Sequence, residues 1–124
     1  MLASVPLVAF AAASDLDRAR EFYAGTLGLP LVEATPFAVV FDAAGTTLRV
    51  TLVDAPAKAP YTVLGWTVPD IAATVLGLAG NGVAFARYDG MEQDDLGVWT
   101  APGGARVAWF TDPDGNTLSV TQPP

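Results

Sequence analysis

The side chains that carry most enzymatic chemistry are missing from this chain: its 124 residues include no histidine and no cysteine. That removes imidazole general bases, thiolate nucleophiles, His-dependent triads and the nitrogen and sulfur ligands of zinc and iron sites. Four groups of residues retain chemical potential. Asp112-Pro113-Asp114-Gly115-Asn116 has the D-x-D spacing that opens a calcium loop, without the downstream bidentate glutamate such a loop needs. The same segment reads as a turn, with Pro113 pre-setting one dihedral and Gly115 or Asn116 taking positive φ. Asp89, Glu92, Asp94 and Asp95 form an acidic stretch, either a solvated face or a lure for a cation. Tyr88, Met91 and Trp99 flank it and can stack on an organic ligand; Trp99 can equally anchor the stretch on the core. Arg49 can hold a ligand carboxylate or phosphate through its fork of donors, or pair internally with Glu33 or Asp42. Glu33, Tyr61, Tyr88 and Asp89 are acid–base groups, but no pair of them has a spacing that signals catalysis.

The elements that must position these groups recur in a fixed order. Leu7 to Ala12 is a strand; Ser14 is placed to cap a helix whose apolar face is Leu16, Ala19, Phe22, Tyr23 and Leu27, closed by Gly28. Strands follow at Leu29 to Ala34, Phe37 to Phe41 and Thr46 to Val53, with Ala43-Ala44-Gly45 turning between the last two. In the third, Leu48, Val50 and Leu52 alternate with Thr47, Arg49 and Thr51, as a strand half-covered by a helix does. Asp54 to Pro60 reads as a linker. The order then restarts: strand Tyr61 to Val68, a helix opened by Pro69-Asp70 with Ile71, Val75, Leu78 and Ala79 on one face, and strands Val83 to Tyr88, Ala105 to Phe110 and Thr117 to Thr121. The second half carries a long extra loop, Asp89 to Gly104, and long loops within small domains are commonly functional.

Composition narrows the function. With 52% apolar and 15% charged residues the chain can bury a proper core, and a net charge of −7 leaves nothing to neutralise phosphates, so nucleic acid is excluded as a partner. No apolar run approaches the roughly 18 residues of a membrane helix, so no membrane partner is expected. Met1 to Ser14 is apolar enough to resemble a signal peptide but lacks a basic start, and Val5 to Ala12 reads equally well as a buried strand; a cytoplasmic protein is the expectation.

Ser14-Asp15-Leu16-Asp17-Arg18-Ala19, Phe22-Tyr23, Leu27-Gly28-Leu29 and the closing Asp112-Pro113-Asp114-Gly115-Asn116 together resemble the vicinal oxygen chelate superfamily of glyoxalase I, extradiol dioxygenases and bleomycin-resistance proteins. The resemblance implies an α+β fold of one domain over 1–124. Its two βαβββ modules, at about 5–54 and 60–122, would curl their sheets around a cleft, within one chain or across a homodimer. It also implies four metal-ligand positions, which fall here on Val8, Arg49, Val63 and Ser119. Valine has no donor atom, arginine repels a cation and a lone serine cannot hold one against water, so neither metal nor cofactor is expected.

With strand phase kept, the cleft face would carry Val8, Phe10, Thr47, Arg49 and Thr51 from the first half. Tyr61, Val63, Gly65, Thr117, Ser119 and Thr121 would come from the second. Val8, Phe10, Arg49, Thr51, Val63, Trp99 and Ser119 are the expected ligand-binding residues, unless these side chains simply fill the interior. The expected function is binding of a small organic molecule, an antibiotic in the bleomycin-resistance case. The alternatives are a glyoxalase-like lyase or dioxygenase-type enzyme of the same superfamily, or an enzyme that needs no metal.

Overall fold

Each half of the chain starts its helix from an aspartate. In the computed structural model, which describes residues 1–124, the Asp15 carboxylate accepts from the Arg18 N–H at 3.1 Å and the Asp70 carboxylate from the Ala73 N–H at 3.1 Å. Both caps leave extended backbone, at φ −147° and −143°, and each satisfies a donor that the first helical turn cannot. Ser14, the expected cap of the first helix, therefore lies one residue too early. Asp15 is the residue whose extended backbone aims its side chain at the third N–H of the helix.

The chain separates into two compact units, Met1–Ala57 and Lys58–Pro124. In the first, β1 (Val8–Ala13) leads into α1 (Leu16–Arg20), which continues as wider π-helical turns over Glu21–Thr26, and then β2 (Leu31–Ala34), β3 (Ala38–Ala43) and β4 (Thr46–Leu52). The sheet order is β1-β4-β3-β2, with β1 parallel to β4 and the other pairs antiparallel. Ala19 and Tyr23 are buried on the helix, and Val39, Phe41, Leu48 and Val50 on the strands it packs against. Tyr23 is fully buried, its ring edge-on to Phe22 at 5.1 Å and 5.7 Å from Phe41. The alternation of β4 holds through Leu48 and Val50. It fails at Leu52, which is 42% exposed at the strand end.

The second unit repeats the order: β5 (Leu64–Thr67), α2 (Ile71–Gly80), β6 (Trp99–Thr100), β7 (Arg106–Thr111) and β8 (Thr117–Gln122), arranged β5-β8-β7-β6 with β5 parallel to β8. Ile71 and Val75 from α2 are buried with Ala108, Phe110, Leu118 and Val120. Gln122 ties the last strand to the helix start, its Oε1 accepting from the Ile71 N–H at 2.9 Å. Each unit is thus a four-stranded mixed sheet with one helix, an α+β fold in which the strand–helix–strand–strand–strand order occurs twice.

One expected strand does not form. Val83 to Tyr88 has the residues of a strand, yet β6 at Trp99–Thr100 is the element that pairs with β7. The Ala86 N–H still reaches the Trp109 carbonyl at 2.8 Å, but the neighbouring backbone groups bond to a side chain instead. The Gln93 amide donates to the Ala86 and Gly97 carbonyls, each at 2.9 Å, and accepts from the Tyr88 N–H at 2.8 Å. A side-chain amide that meets both a carbonyl and an N–H of the segment removes the backbone's need for a ladder partner.

Candidate functional site

The site is built around two turns of identical design. In Asp112-Pro113-Asp114-Gly115-Asn116, Asp112 Oδ1 accepts from the Asp114 N–H at 3.0 Å and the Asn116 N–H at 2.9 Å, and Oδ2 from the Asn116 side-chain amide at 2.7 Å. The Asp112 N–H donates to the Asn116 carbonyl, and the Gly115 N–H to the Asp112 carbonyl. Asp94-Asp95-Leu96-Gly97-Val98 has the same pattern: Asp94 Oδ1 accepts from the Leu96 and Val98 N–H groups, each at 2.9 Å. Its backbone bonds also run from Asp94 N–H to Val98 carbonyl and from Gly97 N–H to Asp94 carbonyl. Gly115 and Gly97 stand at φ +83° and +87°, a conformation costly for any residue with a Cβ.

This arrangement decides between the two readings of Asp112 to Asn116. The Asp112 carboxylate is 5% exposed and both its oxygens are engaged in closing the turn, so the segment is a turn and not a cation loop. No group of three or more acidic residues is disposed to hold a metal ion anywhere in the chain. The acidic stretch is also divided. Asp94 serves its turn and lies 3.8 Å from Arg106, while Asp89 and Glu92 are exposed and unpaired.

The second turn sets the segment before it in place. Arg87 donates to the Asp95 carbonyl at 2.8 Å and reaches the Gln93 carbonyl at 3.5 Å; with the Gln93 amide it holds residues 86–97 together. Tyr88 is thereby stationed beside Trp109 of β7, edge-on at 5.6 Å, and Trp99 of β6 lies 6.1 Å from Trp109. Two adjoining grooves result. One, of about 530 Å³, is lined by Tyr88, Asp89, Gly90, Met91, Glu92 and Trp99. The other, of about 430 Å³, is lined by Pro60, Tyr61, Thr62, Tyr88, Met91, Trp109 and Thr117. Aromatic walls with a few polar groups are the usual lining of a small-molecule site.

The expected ligand residues fall into two sets. Val8 and Phe10 on β1 and Arg49 and Thr51 on β4 share one face of the first sheet, Phe10 directly across from Arg49. On the second sheet Ser119 lies between Gly65 and Trp109 in register, and Trp99 opposes Val107 on the same face. Val63 precedes β5 on that phase, its N–H on the Thr117 carbonyl at 2.9 Å. Within each unit the two positions implied as metal ligands, Val8 with Arg49 and Val63 with Ser119, stand diagonally across adjacent strands. Their donor chemistry does not fit a cation: two valines, a guanidinium and one hydroxyl, the serine 6% exposed beneath Gly65. A Cβ added at Gly65 would sit 3.1 Å from Ser119 Oγ, so the glycine is what leaves room above the hydroxyl.

Of the seven expected residues, Trp99 lines the larger of these two grooves, and Tyr61 and Thr117 of the wider face line the other. Trp99 lies 6.1 Å from Trp109 and also lines the larger groove. Trp109, Gln93 and Arg87 were not among the expected residues. Trp109 was within reach, because a tight turn over Asp112–Asn116 puts Thr111 across from Thr117 and hence Trp109 across from Ser119. Gln93 and Arg87 act through backbone atoms distant in sequence and left no local signal.

Arg49 is half-buried and pairs with neither Glu33 nor Asp42. Its register partner on β3 is the buried Val40, which stands between it and Glu33 across the sheet. A partly desolvated, unpaired cation costs stability, so Arg49→Met, which keeps the apolar stem, is expected to stabilise the unliganded protein by about 0.5–1 kcal/mol. Thermal unfolding checks this; a lowered midpoint would show that the guanidinium supports the fold.

The same architecture occurs in solved structures. TnmS3, an antibiotic binding protein from Streptomyces sp. CB03234, is 26% identical over 100% of this chain and 99% of its own, with a TM-score of 0.75. A superfamily member from Sphaerobacter thermophilus DSM 20745 is 24% identical over 98% and 99% of the two chains, at 0.74. Lactoylglutathione lyase from Agrobacterium tumefaciens is 19% identical over 96% and 93%, at 0.73. No curated protein matches the chain by sequence. The sequence profile of the Glyoxalase/Bleomycin resistance protein/Dioxygenase superfamily matches residues 6–120. The doubled strand order and the Asp112–Asn116 turn both lie inside that match, and the chain belongs to this superfamily.

Proposed function

We propose that the protein binds a small organic molecule, of the antibiotic class, without the help of a metal. The observation that carries this reading is the pair of aromatic grooves walled by Tyr88, Met91, Trp99 and Trp109. The donor set at Val8, Arg49, Val63 and Ser119 is consistent with it, and so is the likeness to an antibiotic binding protein at 26% identity. Phe10, Val32 and Phe37 in the first unit are 63%, 65% and 71% exposed, which supports a homodimer that covers them. No helix is long and apolar enough to cross a membrane.

Tryptophan fluorescence tests the reading directly, since two of the three tryptophans wall the grooves. Titration with a panel of aromatic antibiotics in the presence of EDTA is expected to give saturable quenching for at least one compound. No saturable response across the panel, or binding abolished by the chelator, counts against it.

A further inference from the structure

The two grooves share one wall, Tyr88 and Met91, and differ in everything else. The larger adds Trp99 and the carboxylates of Asp89 and Glu92; the smaller adds Trp109, Tyr61, Pro60 and two threonine hydroxyls. Neither is lined by a lysine or arginine. Arg87, the basic residue next to Tyr88 in the chain, is turned to the Gln93 and Asp95 carbonyls and pairs with neither Asp89 nor Glu92. Asp94, a third carboxylate of the stretch, is held in its turn by two N–H groups. The charge left facing the larger groove is therefore wholly negative, beside two aromatic rings whose faces also attract a cation.

We infer that the ligand of this site is a flat aromatic molecule with a positively charged arm. Its ring system lies along Trp109, Tyr88 and Trp99, and its cationic nitrogen sits over Asp89 and Glu92. The assignment rests on reading the grooves as the ligand site, and it names the chemical class that site selects. Stacking supplies the part of the affinity that any aromatic compound shares, and the two carboxylates supply the discrimination by charge.

A matched series of anthracenes separates the two contributions: 9-(aminomethyl)anthracene, 9-(hydroxymethyl)anthracene and anthracene-9-carboxylate differ in the charge of one short arm. Each absorbs where tryptophan emits, so energy transfer reports binding, and loss of the signal in the groove variants locates it. The amine is expected to bind roughly tenfold more tightly than the alcohol at low ionic strength, and the carboxylate more weakly than either, as two carboxylates near a cation at a wet surface predict. Added salt should shrink the gap. A double variant, Asp89→Asn with Glu92→Gln, should bring the amine-to-alcohol ratio close to one. Both residues are exposed and bond to nothing in the fold, and an unchanged unfolding midpoint would verify that the variant folds. Equal affinity for the three compounds, or tightest binding of the carboxylate, overturns the charge assignment and leaves the groove as a binding site. No saturable transfer with any of them overturns both.

Discussion

Asp112→Ala is expected to destabilise the protein by about 3–4 kcal/mol, while Asp94→Ala, which removes a turn carboxylate of the same design, costs only about 1 kcal/mol. The backbone pattern of the two turns is the same, so the difference reports burial together with the extra Asn116 side-chain bond. Asp112 is 5% exposed and accepts three hydrogen bonds, two from backbone N–H groups and one from the Asn116 amide. Alanine would leave the two Asn116 donors buried and unsatisfied, and each unsatisfied buried donor costs about 1–3 kcal/mol. Asp94 has 46% of its side chain exposed and its bond from the Leu96 N–H is at the surface, so water can replace it there. Its 3.8 Å ion pair with Arg106 is of the exposed kind that contributes little. Thermal unfolding of the two variants should show a midpoint lowered by roughly 10–15 °C for Asp112→Ala and a few degrees for Asp94→Ala. Equal shifts would mean that the turn geometry, and not its burial, sets the energy.

Trp99→Ala should weaken ligand binding by about thirtyfold, close to 2 kcal/mol, because a central aromatic wall is where truncation costs most. Trp99 is well placed to bear this: it belongs to a strand of two residues, leans on Trp109 at 6.1 Å and forms part of the groove that carries Asp89 and Glu92. Trp66 provides the contrast. It opposes Val120 in the second sheet, one residue out of phase with Gly65 and Ser119, and so belongs to the face that packs on α2. Trp66→Phe is expected to leave the affinity within a factor of about two, as its side chain is off the groove face. Calorimetric titration measures both variants without depending on the fluorophores. Loss of affinity in Trp66→Phe with none in Trp99→Ala would move the ligand to the other side of the sheet.

The strand–helix–strand–strand–strand order was legible twice over because its signals are local. Apolar residues at Leu16, Ala19, Phe22 and Tyr23, or at Ile71 and Val75, mark a helix face whatever surrounds them. The exchange of Leu48 and Val50 with Thr47 and Arg49 marks a strand. The cap of the first helix was one residue from legible: Ser14 and Asp15 are both good capping residues, and only the backbone geometry chose between them. Val83 to Tyr88 misled for a different reason. Its β propensity is real, but whether a segment joins a sheet depends on what satisfies its backbone, and here the Gln93 amide and β6 took the places a partner strand would have filled.

At the site, the absence of histidine and cysteine and the residues at Val8, Arg49, Val63 and Ser119 determined by themselves that these positions lack the donors a metal needs, since donor chemistry belongs to residue type. The same holds for the Asp112–Asn116 turn, whose aspartate, glycine and asparagine encode their own conformation. Which aromatic residues meet was decided only in the tertiary structure. Tyr88, Trp99 and Trp109 come from an irregular segment, a two-residue strand and a long strand, and they converge because Gln93 and Arg87 fasten residues 86–97 through backbone atoms. Contacts of that kind depend on where a chain folds back on itself, which no pattern of neighbouring residues records. The acidic stretch likewise acquired its meaning in three dimensions: of four carboxylates in a row of seven residues, one is bound into a turn, and two face a groove.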